Sequence, residues 1–278
     1  MRFVPAVAIS LLAFTAAAQA ADEDVVIKGS QRQIPATITL PDGDGPFPFV
    51  VMFHGTGSNR HEAGNGYDLL APKLADAGIA SARFDFAGSG DSSVDYVEYT
   101  PSSGMQDGLD VIAYMRGLDQ VDDARLGLLG WSQGGMIAML TASRTPDVKS
   151  LVTWAGVLDM SGYAADQYED AKANGHTALQ FDWRTPLNLS INWFDEVRAL
   201  KLAEELGAYK GAVLAIAGSA DDVVPPAVTG DIVAAAAGEN KHVEIIEGAD
   251  HTFNIFSGDM TAFDKLMQLT ADWFSKTL

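Results

Sequence analysis

"GWSQGGM", residues 130–136, places Ser132 between glycines, directly after the apolar run Leu126-Gly127-Leu128-Leu129 and directly before Met136-Ile137-Ala138-Met139-Leu140. Gly130-Trp131-Ser132-Gln133-Gly134 fits G-x-S-x-G, with a strand expected before it and a helix after it. In that setting the serine sits on a sharp strand-to-helix turn, where side chains two positions either side would collide with neighbouring backbone. A plain tight turn accounts for the glycines alone. The flanking strand and helix are the context that a nucleophilic serine needs.

The alternation around residues 126–140 extends along the chain. β-branched and apolar segments predict strands at 36–40, 49–53, 79–84, 125–129, 149–154, 212–217 and 242–246. Helical spacing falls between them, at 67–77, 103–118, 134–143, 226–237 and 260–276. Continuous apolar strands separated by helices predict an α/β fold, a mostly parallel sheet flanked by helices. Residues 158–200 break the rhythm and are rich in aromatics: Tyr163, Tyr168, Phe181, Trp183, Trp193 and Phe194. A segment this long without clear elements inside a compact domain is usually functional, so a cap inserted at about 158–200 is expected.

The chain begins with Arg2, an apolar stretch over 3–18, then Ala18-Gln19-Ala20 ahead of the acidic Asp22-Glu23-Asp24. This is the layout of a secretory signal peptide over residues 1–20. The apolar stretch is broken by Pro5 and is shorter than the roughly 20 residues that span a bilayer. The expectation is a periplasmic or secreted domain over 21–278, in which 17 basic side chains stand against 37 acidic ones. A surface so acidic repels phosphate backbones and anionic lipid, so neither nucleic acid nor membrane is expected as a partner. The sequence has no cysteine, which excludes disulfides, thiolate metal sites and a cysteine nucleophile.

A serine hydroxyl is a poor nucleophile near neutral pH and needs a base that an acid orients. Five histidines are available. His242 lies in the apolar alternation Val243-Ile245-Ile246. His61 lies in the polar stretch Ser58-Asn59-Arg60-His61-Glu62, His176 in the expected cap, and His54 in a glycine loop. His251 remains, in Glu247-Gly248-Ala249-Asp250-His251, between the last strand and the last helix, where catalytic groups of open α/β sheets gather. For the acid, Gly218-Ser219-Ala220-Asp221-Asp222-Val223-Val224-Pro225 follows the strand at 212–217 and offers two neighbouring carboxylates. Only one of two successive residues can aim at an imidazole. Asp221 is favoured over Asp222, and over Asp159 at the end of the preceding strand. An oxyanion hole needs two N–H donors, one from the residue after the nucleophile, Gln133, and one from a loop after an early strand. His54-Gly55-Thr56-Gly57 sits there, which nominates Thr56.

Taken in order, His54-Gly55-Thr56-Gly57, Arg83-Phe84-Asp85-Phe86-Ala87-Gly88-Ser89-Gly90-Asp91-Ser92, Gly130-Trp131-Ser132-Gln133-Gly134, Gly218 to Pro225 and Gly248-Ala249-Asp250-His251 resemble the α/β-hydrolase superfamily over nearly the whole mature chain. Within it, the chain is most similar to bacterial cinnamoyl and feruloyl esterases, which have a similar Asp-Phe-x-Gly-x-Gly-x-Ser segment and a cap at the position of residues 158–200. The resemblance implies that Asp221 is the acid and that Thr56 and Gln133 supply the oxyanion N–H groups. The cap sequence departs from the pattern and cannot be matched residue by residue.

These residues predict acyl transfer through a covalent ester on Ser132, with no metal or organic cofactor, acting on a small-molecule ester of an aromatic or a short-chain acid. Trp131, Phe181, Trp183 and Trp193 are candidates for substrate contact, although buried aromatics more often serve packing. Few basic residues surround the motifs, which disfavours a polyanionic substrate. A serine peptidase of the prolyl-oligopeptidase-like type shares the triad order and the Gly-Trp-Ser-x-Gly-Gly turn. Such enzymes usually carry a large extra domain, for which the 258 residues after the signal peptide leave no room. A binding module that kept the fold without chemistry is a third class, disfavoured by the complete set of motifs. Gly88-Ser89-Gly90 lacks the third glycine of a dinucleotide fingerprint.

Overall fold

The computed structural model describes residues 22–278, so residues 1–20, where a signal peptide is expected, lie outside the described residues. The chain runs through β1 (Asp22–Lys28), β2 (Gln33–Thr39), β3 (Phe47–Phe53), α1 (Gly66–Asp76), β4 (Ala80–Phe84), α2 (Pro101–Arg116), β5 (Val121–Trp131), α3 (Gln133–Arg144) and β6 (Val148–Trp154). It continues with α4 (Tyr168–Asn174), β7 (His176–Leu179), β8 (Leu187–Ser190), α5 (Ile191–Ala199), α6 (Leu202–Leu206), β9 (Ala212–Gly218), α7 (Val228–Ala235), β10 (Lys241–Ile246) and α8 (Thr261–Thr277).

Eight strands form one sheet in the order β1-β2-β4-β3-β5-β6-β9-β10. The pairs β1–β2 and β2–β4 are antiparallel and the remaining pairs are parallel. Sheet parity divides the interior into two cores. On β3, Phe49, Val51 and Phe53 join one core, while Val50 and Met52 join the other. Both faces are therefore apolar, and helices cover both: α2 and α3 contribute Val111, Ile112, Ile137 and Leu140 to the first core, α1 and α8 contribute Leu70, Leu74, Leu266 and Phe274 to the second. Each such fully buried side chain contributes about 1.5–3 kcal/mol relative to exposure. This is the α/β-hydrolase architecture expected from the sequence.

The helix ends follow local chemistry. Thr100 caps α2 by accepting from Ser103 N, the Ser103 hydroxyl accepts from Thr100 N, and Pro101 occupies the first turn, where its missing N–H costs nothing. In α8 the buried positions Phe263, Leu266, Met267, Thr270, Ala271 and Phe274 recur at three and four residues, the stripe that seats a helix on a sheet.

Two regions differ from the sequence expectation. β1, Asp-Glu-Asp-Val-Val-Ile-Lys, is an acidic edge strand with one buried side chain, Ile27, so it has no hydrophobic period to read. Polar bonds hold it instead: Thr37 and Thr39 donate to Asp24 and Asp22, and the buried Arg83 guanidinium pairs with Asp22. Residues 158–200 are not a featureless segment. They carry α4, the antiparallel hairpin β7–β8 and α5, with Trp193 and Phe194 buried and edge-to-face at 5.1 Å. The four-residue strands and the seven-residue helix are too short to show a period. No helix among the described residues is long and apolar enough to cross a membrane.

Candidate active site

β5 ends at Trp131 and α3 begins at Gln133, leaving Ser132 alone in the turn with φ 55° and ψ −122°. This positive φ is strained for a residue with a Cβ, so the surrounding structure must enforce it. Three backbone bonds do so: Ser132 N donates to Trp154 O (2.8 Å), and Ser132 O accepts from Gly135 N (2.9 Å) and Val157 N (3.3 Å). The flanking glycines are dictated by contact. A Cβ on Gly130 would lie 2.2 Å from Gly134 O, and one on Gly134 would lie 2.0 Å from Phe53 O. Only at glycine can the turn press this closely on itself and on the end of β3.

The parallel strands deliver the other groups to the same edge. The loop after β9 carries Asp221, whose side chain is fully buried, and the loop after β10 carries His251. His251 Nδ1 and Asp221 Oδ2 are 2.8 Å apart. Asp221 Oδ1 accepts from Val223 N (2.9 Å) and Val224 N (2.8 Å), which fixes the carboxylate from its far side. Asp222 is exposed, and Asp159, also exposed, caps Ser161 N at 2.7 Å. Of the three carboxylates weighed from the sequence, Asp221 is the one paired with His251. Trp131, adjacent to Ser132, donates from Nε1 to His251 O at 3.2 Å and so ties the serine turn to the histidine loop.

The loop after β3 closes the site. A Cβ on Gly55 would lie 3.4 Å from Trp131 O and 3.5 Å from Ser132 Cβ, so this loop passes directly over the serine. Among the described residues, neither Thr56 N nor Gln133 N donates to another protein group. Two free N–H groups flanking a serine are the arrangement that receives a developing oxyanion.

Beneath the loop are two buried titratable groups. His54 Nε2 accepts from Phe86 N (3.2 Å) and its Nδ1 bonds Gly55 O (2.9 Å), which requires the neutral ring protonated at Nδ1. Burial, with a minor opposing effect of the Gly55 carbonyl, lowers its pKa to about 4. Glu62 is buried at a positive φ of 63°, and its carboxyl accepts from Gly55 N (2.6 Å) and Ala63 N (3.0 Å). Burial raises its pKa to about 7, opposed by the Gly55 N–H and by the nearby His251. The stretch 58–62 is polar in sequence, yet Arg60 and Glu62 are buried: Arg60 bridges Asp85 and Asp91, and Glu62 holds the loop over Ser132.

A family model described as the prolyl oligopeptidase family matches residues 66–278, which contain Ser132, Asp221 and His251. The chain belongs to the prolyl oligopeptidase family. Among curated proteins, this family member is 26% identical over 168 residues to 2,6-dihydropseudooxynicotine hydrolase of Paenarthrobacter nicotinovorans, covering 53% of the chain and 42% of that protein. It is 29% identical over 131 residues to the esterase EstD of Thermotoga maritima, covering 45% of the chain and 30% of that protein. The chain thus spans less than half the length of these relatives. Among solved structures, Est1E of Butyrivibrio proteoclasticus with ferulic acid bound superposes with a TM-score of 0.73 at 20% identity, covering 91% of this chain and 98% of that one. That likeness is one of fold.

The aromatic candidates for substrate contact separate into two groups in this prolyl oligopeptidase family member. Trp131 is 2% exposed, its ring packed on Trp154, Phe253 and Phe263, and Trp193 is wholly buried. Both rings pack into the interior of the chain. Phe181 and Trp183 sit on the turn between β7 and β8, edge-to-face at 5.3 Å, with Trp183 66% exposed.

Proposed function

We propose that this chain is an exported serine hydrolase that cleaves carboxylic esters through an acyl-enzyme on Ser132. His251 takes the Ser132 proton as the hydroxyl oxygen attacks the ester carbonyl carbon. Asp221, bonded at Nδ1, keeps the imidazole in the tautomer whose Nε2 accepts that proton and stabilises the imidazolium that results. The N–H groups of Thr56 and Gln133 receive the oxyanion. The tetrahedral intermediate collapses, the C–O bond to the alcohol breaks, and His251 returns the proton to the departing oxygen. Water then repeats the sequence on the acyl-enzyme and releases the acid.

The observation that carries this reading is the Trp131–His251 bond. It joins a serine held at φ 55° to an imidazole already paired with a buried carboxylate. The hydrolase names of the relatives and the ferulic acid in the fold neighbour support ester cleavage. Aromatic and short-chain acids are the two acyl classes that the reading covers. Export rests on the Ala18-Gln19-Ala20 pattern.

The family match gives peptidase activity a specific footing as a second reading. Turnover of 4-nitrophenyl butyrate and methyl ferulate, measured beside peptide 4-nitroanilides, decides between them. Ester turnover exceeding anilide turnover by at least 100-fold is expected. Anilide turnover equal to or above ester turnover overturns the esterase reading.

A further inference from the structure

The turn between β7 and β8 places one arginine where the chemistry described above does not use it. Arg184 Nη1 donates to the carbonyl of Gly57, the residue after Thr56, and Nε donates to Thr185 O at 3.1 Å. The position of a Cβ on Gly57 lies 3.1 Å from Arg184 Nη1 and 3.2 Å from its Cδ, so the arginine lies flat against the oxyanion loop. Its charge also reaches two buried groups at the site, His54 below the loop and Tyr96 beside it.

What distinguishes Arg184 is the lack of a counter-charge. Of the eight arginines among the described residues, six lie in salt bridges and a seventh, Arg198, covers the ring of Tyr168 at 3.5 Å. Arg184 has neither a carboxylate nor a ring over it among the described residues. This occurs in a chain with 37 acidic side chains against 18 basic ones, where a carboxylate partner is easily found. A guanidinium presents five donors in a fork that matches a carboxylate, and the two backbone bonds leave the Nη2 pair and one Nη1 hydrogen without a protein acceptor. Partial burial pushes its pKa down, the direction expected of a cation that has lost water without gaining an anion.

We infer that Arg184 is the anion subsite of the esterase site, taking a carboxylate carried by the ester substrate. The inference rests on the esterase reading above and narrows its substrate class to esters of monoanionic acids or alcohols. Reach limits the substrate. The position of a Cβ on Gly55 lies 3.5 Å from Ser132 Cβ, and two residues of extended chain span at most about 7 Å, so an anion on Arg184 lies on the order of 10 Å from the reacting carbonyl. A chain of about six to eight atoms between the two groups fits that span. A single carboxylate is compatible with the acidic surface, because the fork offsets repulsion for one charge and not for several.

Matched ester pairs test this in the whole protein. The acyl arm compares the mono-4-nitrophenyl ester of suberic acid with 4-nitrophenyl octanoate, and the alcohol arm compares 4-carboxyphenyl butyrate with phenyl butyrate. In at least one arm, Arg184→Met is expected to lower kcat/KM for the carboxylate ester by tenfold or more while changing the neutral ester by less than twofold. The arm that responds says which side of the ester carries the anion. Arg184→Lys should retain part of the preference. In the unmodified protein, raising salt from 0.05 to 1 M should erode the preference for the charged ester and leave the neutral rate in place. Equal losses on charged and neutral esters make Arg184 a strap for the oxyanion loop and overturn the subsite, as does a wild-type preference indifferent to salt. No turnover on any of the four esters overturns the esterase reading itself, and the subsite with it.

Discussion

Asp221 meets His251 through one carboxylate oxygen, at 2.8 Å from Nδ1, while its other oxygen accepts the backbone N–H groups of Val223 and Val224. Both oxygens are committed, so the imidazole is presented at one angle. Asp221→Asn keeps the shape but offers an amide that can hold the wrong tautomer. Its kcat on 4-nitrophenyl butyrate should fall by roughly four orders of magnitude. Asp222→Asn, at the exposed neighbour, should stay within about twofold, since surface changes away from such features are nearly neutral. Equal effects of the two substitutions contradict the geometry.

Trp131 links the serine turn to the histidine loop through one indole N–H. Trp131→Phe retains an aromatic ring in the core but leaves His251 O without that donor. Loss of the bond and of ring volume should cost about 1–3 kcal/mol in denaturant melts. Because the bond spans the serine turn and the histidine loop, the proposed mechanism has kcat also fall by several-fold with little change in KM. A variant that loses stability and keeps full kcat restricts Trp131 to packing.

Gly134 and Gly230 are opposite cases. A Cβ on Gly134 meets Phe53 O at 2.0 Å, whereas one on Gly230, in the exposed part of α7, meets nothing within 4 Å. Gly134→Ala should therefore abolish soluble folded protein or cost more than about 4 kcal/mol. Gly230→Ala should stabilise by about 0.4–1 kcal/mol, through reduced freedom of the unfolded chain and better helix propensity. Thermal melts of the two variants check both signs.

Much of this arrangement was legible in the sequence because parallel strands buried on both faces read as apolar runs, and because close backbone contact at Gly130 and Gly134 admits one residue type. Ser132 and Asp221 follow buried apolar strands, β5 and β9, whereas β10 before His251 is a half-exposed edge strand, and His251 is reached by elimination among five histidines. What stayed hidden was held by polar bonds or by elements too short for a period. β1 is fastened by Asp22 and Asp24 to threonines and Arg83, and residues 158–200 carry four-residue strands and short helices. Glu62 lies among polar neighbours, and its burial arises from a fold-back onto Gly55 that no local pattern announces.

Glu62 gives the site a pH signature. Its pKa in the folded chain is about 7 against 4.5 ordinarily, so the folded state holds an extra proton between those values. The associated stability is whole below pH 4.5 and is lost as pH rises through 7, on the order of 3 kcal/mol in total. His54, lowered to about 4, acts in the opposite sense, its stability present above pH 6.5 and lost as pH falls through 4. Subtracting the Glu62→Gln curve from the wild-type curve cancels the histidine. Between pH 4.5 and 7.5, Glu62→Gln should gain on wild type in urea melts. Parallel curves contradict the raised pKa.

The most direct measurement of the central assignment is covalent labelling with a fluorophosphonate, followed by intact mass and peptide mapping. The account predicts one adduct per chain, on the peptide that contains Ser132. It also predicts no adduct on Ser132→Ala, with kcat on 4-nitrophenyl butyrate lowered by about five to six orders of magnitude in a variant that melts like wild type. An adduct on any other residue, or a Ser132→Ala protein that keeps more than a tenth of wild-type turnover, contradicts it.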